Sequence, residues 1–258
     1  MRIDRDFMAR LAAAAAKETL PRFRAAGLVS DNKRESGFDP VTEADREAER
    51  AIRALIREAF PGHGIVGEEF GVENGDSRHL WVVDPVDGTR SFISGIPLWG
   101  TLVGLLDDGE AVAGMMSQPF TGELFYADGD GARYDGPGGA RALRVRQTRE
   151  LAQATLFTTT PALFPAALRG AYDRLEGAVR LARYGADCYA YAMLASGTVD
   201  LVVEAGLQPY DIVALVPIIE KAGGVITRWD GGPAEKGGDI VAAATHDLHR
   251  AALALLNG

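Results

Sequence analysis

The chain has 258 residues, 47% hydrophobic and 24% charged, the make-up of an ordinary globular protein rather than a disordered or fibrous one. Its 36 acidic residues against 27 Lys and Arg leave a formal net charge of −9, which argues against nucleic acid or an anionic membrane as partner. Cys188 is the single cysteine, so no intrachain disulfide can form and a reducing, cytoplasmic setting is expected.

Arg2, Asp4, Arg5, Asp6 and Arg10 surround the alanine run 12–16. That pattern suits an amphipathic helix rather than a secretory signal, which needs an uninterrupted apolar stretch. The helix is expected from Phe7 to about Ala26, with Gly27 as its stop. A polar loop, Ser30 to Asp39, follows. Thr42 or Glu43 then starts a second helix through Ile52, Leu55 and Ile56 to Phe60, ended by Pro61-Gly62. Gly64 to Gly67 reads as a short strand leading into Glu68-Glu69.

The run Leu80 to Val83 reads as a short buried strand that drives into Asp84-Pro85-Val86-Asp87-Gly88-Thr89. Pro85 stops the strand from continuing as a paired ladder, Gly88 permits a tight turn, and Thr89-Arg90-Ser91-Phe92 can open a helix. Two carboxylates so close repel unless a cation or proton lies between them, and a helix start beyond them offers N–H groups to an anion. Metal-dependent phosphate chemistry follows from that combination. With the acidic net charge, bound cations must reverse the sign of the field a phosphorylated ligand meets.

Strands are next expected at Thr101–Leu106, Ala111–Ser117, Glu123–Ala127 and Ala142–Arg146, joined by tight turns into an antiparallel sheet. The run Ile96 to Leu106 is too short and too interrupted to span a bilayer. Beyond residue 150 strands (Thr155–Thr158, Ala178–Ala182, Val199–Val203, Gly224–Thr227) alternate with helices (Ala162–Leu175, Cys188–Ala195, Ile212–Ala222, His246–Leu256). This shift predicts two subdomains around one cleft, 1–147 with most acidic motifs and 148–258 supplying Asp211. Pro217 inside the third helix is expected to bend it or leave a carbonyl unpaired.

Each motif also has a plainer reading. Asp-Gly is a common turn pair, and Glu68-Glu69 alone would be surface. Asp39, Thr42 and Glu43 would be helix caps, Asp45 a solvated helix residue, and Asp211 an N-cap. Other chemistries fail on spacing. Asp84 and Asp87 are not the Asp-x-Asp of aspartyl-phosphate enzymes, the four histidines form no zinc-protease pair, and no P-loop or Gly-x-Ser-x-Gly elbow exists.

Taken together, Asp39-Pro40-Val41-Thr42-Glu43-Ala44-Asp45, Gly67-Glu68-Glu69, Asp84 to Thr89, and Tyr210-Asp211 followed by Glu220-Lys221-Ala222-Gly223-Gly224 resemble the inositol monophosphatase superfamily of metal-dependent, lithium-sensitive phosphatases. The resemblance implies an α/β (α+β) fold, a layered α-β-α-β-α sandwich with the site between subdomains. It implies two to three Mg²⁺ ions: Glu68, Asp84 and the Val86 carbonyl on the first, Asp84, Asp87 and Asp211 on the second, and a third near Glu68. Thr89, hydrogen-bonded to Asp45, would position the attacking water, and Gly88 and Thr89 N–H groups would cradle phosphate. A basic residue ahead of the first motif would be Lys33 or Arg34, and a homodimer is implied.

Three stretches resemble the histidinol-phosphate phosphatase branch: Arg90 to Thr101, Arg183 to Tyr191, and Glu204 to Asp211. Asp187 and Glu204 would meet the ammonium and imidazole of histidinol phosphate, since a charge-assisted hydrogen bond discriminates better than apolar fit. The plainer alternative makes Asp187 a helix cap and Glu204 a strand end. Arg183 would reach the substrate or pair with a metal-site carboxylate. The partner expected is thus a small phosphorylated metabolite, with inositol 1-phosphate or a sugar phosphate as alternative substrate. A non-catalytic ligand-binding relative is the alternative of another class.

Overall fold

A computed structural model of the chain describes residues 3–26, 28–32 and 40–258. Gly27, Lys33, Arg34 and Asp39 therefore lie outside the described residues, as does most of the expected polar loop.

Helix α1 (Arg5–Thr19) begins at Asp4, whose carboxylate accepts the Phe7 N–H at 2.9 Å. It stops well short of Ala26, because Pro21 has no N–H to continue the ladder. Strands β1 (Ser30–Asn32) and β2 (Pro40–Thr42) pair as a small antiparallel ribbon where only loop was expected. Helix α2 (Glu43–Ala59) starts with a reciprocal capping box between Thr42 and Asp45 and buries Ala44, Ala48, Ile52 and Ile56 on one stripe.

The first sheet takes β3 (Gly64–Gly67), β4 (Gly71–Glu73), β5 (His79–Asp87), β6 (Gly100–Asp107), β7 (Glu110–Gln118), β8 (Glu123–Asp128), β9 (Gly131–Asp135) and β10 (Arg141–Ala142). Their order is β10-β9-β8-β7-β6-β5-β3-β4, antiparallel except for the parallel β3–β5 pair. Helix α3 (Thr89–Ile93) follows β5. Of the expected strand Ala142–Arg146 only Ala142 is in a strand, as the last residue of β10, and β4 and β9 are additions.

The second sheet holds β11 (Thr155–Thr158), β12 (Leu181–Tyr184), β13 (Leu201–Leu207), β14 (Val225–Arg228) and β15 (Gly238–Ala243), in the order β12-β11-β13-β15-β14. It is mixed, with β11 parallel to both neighbours and β15 antiparallel to both of its own. Its helices are α4 (Ala166–Ala178), α5 (Cys188–Ala195), α6 (Pro209–Ile212), α7 (Leu215–Lys221) and α8 (His246–Leu256). The single helix expected from Ile212 to Ala222 is thus broken, and Pro217 falls in the first turn of α7, where a missing N–H costs nothing.

Three apolar zones fix the layers. Phe7, Leu11, Ile52 and Ile56 of α1 and α2 cover Trp81, Val103 and Met115 on the outer face of the first sheet. Between the sheets, Leu194 of α5 and Leu215 and Ile219 of α7 meet Leu102, Met116 and Phe125 on one side and Val202, Ile240 and Ala242 on the other. Tyr172, Leu175, Leu248 and Ala252 of α4 and α8 cover Leu156, Leu201 and Val241. Successive β13 residues thereby alternate between zones, as a pleated strand requires. The result is the α-β-α-β-α sandwich, and each fully buried Leu or Ile contributes about 1.5–3 kcal/mol to it. Among the described residues no helix is long and apolar enough to cross a membrane.

Candidate active site

Asp84 is the last residue of the regular β5–β6 ladder, opposite Leu102. The register then slips, and Asp87 pairs with Gly100. Pro85 breaks the ladder as expected, yet the strand resumes for one more pair. The irregularity has a chemical consequence. Residues three apart on a regular strand face opposite sides, whereas here Asp84 and Asp87 turn to one side. Gly88 then takes φ +83°, a left-handed conformation that favours glycine, and α3 opens at Thr89.

Asp211 reaches the pair from the other sheet's helices. It closes a capping box at the start of α6, accepting the Gln208 N–H at 2.7 Å, so Gln208 rather than Asp211 is the N-cap. The α6–α7 break lies on a shallow depression formed by Gly104 and Gly114, which pair across β6 and β7. A Cβ at Gly114 would lie 2.1 Å from the Ala214 carbonyl oxygen. That close approach brings Asp211 down to the strand ends. Carboxylate oxygens of Asp84, Asp87 and Asp211 all lie within 4.8 Å of one another. Glu68 leaves β3 alongside, its N–H donating to the Val83 carbonyl at 3.2 Å.

The carboxylates are held by the backbone. Asp84 accepts the Val86 N–H at 3.0 Å, and Asp87 accepts the Cys188 N–H at 2.7 Å. Burial, followed by the charges of Glu68, Asp87 and Asp211, pushes the Asp84 carboxyl well above the usual carboxylate range. Asp87 is pushed up by burial and then by Asp187 and Asp211. A set of mutually repelling carboxylates with pre-oriented oxygens fits a divalent cation, and all-oxygen donors suit a hard one.

Asp45 is fully buried rather than solvated. Its Oδ2 accepts the Thr42 N–H and hydroxyl at 2.9 and 2.6 Å, while its Oδ1 has no partner among the described residues. The expected Thr89–Asp45 hydrogen bond is not made. The Thr89 hydroxyl instead donates to the Val86 carbonyl, 3.1 Å away, and Thr42 occupies Asp45 through the capping box.

The acidic cluster lines a cavity of about 220 Å³ that Glu204, Asp187, Thr159 and Tyr191 line as well. Glu204 is the last β13 residue in register with Ile240 before a second strand irregularity. Its carboxyl accepts the Thr159 N–H at 2.6 Å and the Thr159 and Thr158 hydroxyls at 3.0 and 3.2 Å. Burial outweighs these bonds and raises its pKa to about 7. Asp187 precedes α5 with φ +46°, a strained value for a non-glycine residue. It makes no side-chain cap. Its carboxylate takes the Ser91 hydroxyl at 2.8 Å and lies 3.3 Å from the Thr159 hydroxyl, whose single hydrogen it shares with the nearer Glu204, bracing α3 against the end of β11, and Asp87 caps α5 in its place.

Arg183 does not line the cavity. Because α4 runs on to Ala178, β12 starts at Leu181 and leaves Arg183 exposed on that edge strand. Arg90 and Tyr191 line the cavity instead. The Tyr191 hydroxyl is buried without a partner among the described residues. Its place one helical turn beyond Asp187 was the signal available in the sequence.

The family model for the inositol monophosphatase family matches residues 4–257. The chain is 42% identical over 228 residues to Bifunctional phosphatase IMPL2, chloroplastic, from Arabidopsis thaliana, covering 84% of this chain and 65% of that protein. It is 35% identical over 248 residues to Histidinol-phosphatase of Chlorobaculum parvum, covering 95% and 93%. Among solved structures, an inositol monophosphatase from Zymomonas mobilis superposes with a TM-score of 0.87 at 39% identity, covering 98% of this chain and 97% of that one. With the fold, the acidic cluster and these likenesses in agreement, the chain belongs to the inositol monophosphatase family and is a phosphatase acting on small phosphorylated substrates.

Proposed function

We propose that this phosphatase is Mg²⁺-dependent and converts L-histidinol phosphate and water to L-histidinol and phosphate. The observation that carries the substrate assignment is the buried, threonine-held carboxyl of Glu204 lining the same cavity as the acidic cluster. The phosphoryl end of the substrate belongs beside Asp84, Asp87 and Gly88, which leaves its cationic end toward Glu204, with Asp187, packed against Gly88 and linked to Glu204 through Thr159, between the two.

Glu68, Asp84 and the Val86 carbonyl would hold one ion, and Asp84, Asp87 and Asp211 a second, and a third would lie near Glu68. The Val86 carbonyl has a second lone pair beyond the one Thr89 uses. Bound Mg²⁺ supplies Lewis-acid chemistry, acidifying water and neutralising charge on phosphoryl oxygens. Thr89, its hydrogen committed to Val86, offers oxygen lone pairs to the water's proton. Asp45, which feels the charge of Glu68, offers an Oδ1 that has no partner among the described residues. The Gly88 and Thr89 N–H groups at the start of α3 would hold the phosphoryl oxygens. The subdomains 1–147 and 148–258 then divide the work, the first taking phosphate and the second the organic part.

Inositol 1-phosphate is the second reading, favoured by the likeness to the Zymomonas mobilis enzyme. Phosphate release measured with Mg²⁺ at equal concentrations of the two esters separates them. A preference for histidinol phosphate of at least about tenfold in kcat/KM is expected, the worth of one charge-assisted hydrogen bond. Equal or reversed rates would overturn the assignment.

A further inference from the structure

We propose that Glu49, on α2 and away from the reacting atoms, is a positioning residue that fixes Glu68 for cation binding; this rests on the metal reading above. Asp45, Glu49 and Arg53 recur at helical spacing on one buried face of α2. Glu49 is fully buried, and its carboxylate is spent on the turn that carries Glu68. One oxygen accepts the Glu69 N–H at 2.7 Å. The other takes the Phe70 N–H at 3.3 Å and Arg53 Nε at 2.7 Å.

The Glu68 N–H is already bound to Val83 on β5. Both peptide groups flanking Glu68 are therefore anchored, one to the strand that ends in Asp84 and one to α2. Turning the backbone at Glu68, and with it the base of its side chain, away from Asp84 would break one of them. Gly67 makes this possible, since a Cβ there would overlap the Glu49 carboxylate. Arg53 completes the clamp by donating to the Gly71 carbonyl and to Glu73 at 3.2 Å, so the Glu49 charge is paired where burial demands it.

A simple loss of Glu49 would leave Arg53 buried without its partner, so the informative variant is the double replacement Glu49→Leu/Arg53→Met, which removes both charges. Three readouts are taken: thermal stability, amide exchange at residues 68–70 in metal-free protein, and Mg²⁺ binding by calorimetry without substrate. The expected result is a folded protein whose Glu69 and Phe70 amides exchange at least about tenfold faster and whose Mg²⁺ affinity falls about tenfold. Its kcat at saturating Mg²⁺ should stay within about threefold of wild type.

Glu49→Gln keeps an acceptor for Glu69 and is expected to hold Mg²⁺ affinity within about threefold. Wild-type exchange and Mg²⁺ affinity in the double variant would overturn the proposal. So would an equal loss in Glu49→Gln, because charge pairing rather than the grip on the turn would then be responsible. If the double variant does not fold, the Gln variant decides by the same exchange and binding readouts. Wild-type protein that binds no Mg²⁺ would instead fail the metal reading, a result distinct from either outcome.

Discussion

Replacing Asp84 by asparagine is expected to lower phosphate release by at least about 10³-fold, the several kcal/mol that metal assistance contributes, while making the metal-free protein more stable at neutral pH. Asparagine retains an oxygen for the Val86 N–H, so the local turn survives. What disappears is a buried charge facing Glu68, Asp87 and Asp211. Asp84's folded pKa lies above its ordinary value of 3.8. Its contribution to stability is therefore present below that value and lost as pH rises through the folded pKa. The metal-free wild type should weaken from acid to neutral pH more than the variant. Mg²⁺ should reverse the order, since a ligand at 100 times its Kd adds about 2.7 kcal/mol to a protein able to bind it. Thermal melts at pH 5 and 8, with chelator and with Mg²⁺, check this. A variant that turns over normally, or gains as much from Mg²⁺ as wild type, contradicts it.

Glu204→Gln should separate substrate recognition from phosphate chemistry. Losing a charge-assisted hydrogen bond at this buried carboxyl is expected to cost histidinol phosphate about 10–100-fold in kcat/KM. An uncharged aryl phosphate should change by less than about threefold, because nothing in the acidic cluster has moved. With a free-enzyme pKa near 7, ionisation of Glu204 should give kcat/KM for the cationic substrate an acid limb near that pH, absent in the variant. The stability effect has the opposite sign. Glu204's folded pKa is raised, so its stability contribution is complete below 4.5 and lost as pH climbs through about 7. The variant should therefore melt higher at pH 8, by the equivalent of about 2–3 kcal/mol, and show little gain at pH 5. Unchanged substrate preference would remove Glu204 from recognition.

The parts of this architecture that were readable share a cause. β11, α5 and α8 begin and end where the sequence suggests, because turn and capping residues bracket a strongly patterned core. The acidic motifs were readable as a set, and the structure brings Glu68, Asp84, Asp87, Asp211 and Glu204 around one cavity. Their exact presentation was not. The slips after Asp84 and Glu204 arise from how neighbouring strands pair, which no local pattern encodes. β4, β9 and β15 are short or rich in glycine and alanine, and pairing rather than propensity makes them strands. The Asp45–Thr89 link failed because Thr42 offered Asp45 a nearer, reciprocal partner. The exposure of Arg183 was not legible either, because β12 runs to Tyr184 rather than ending at Ala182.

On the proposed function, the carboxylates converging at the end of β5 work only by holding divalent cations against a phosphoryl group. Phosphate release from L-histidinol phosphate, followed as Mg²⁺ is titrated into chelator-stripped protein, tests it most directly. No turnover above background is expected without the ion, with saturable recovery as it is added. Undiminished hydrolysis by the stripped protein would contradict it.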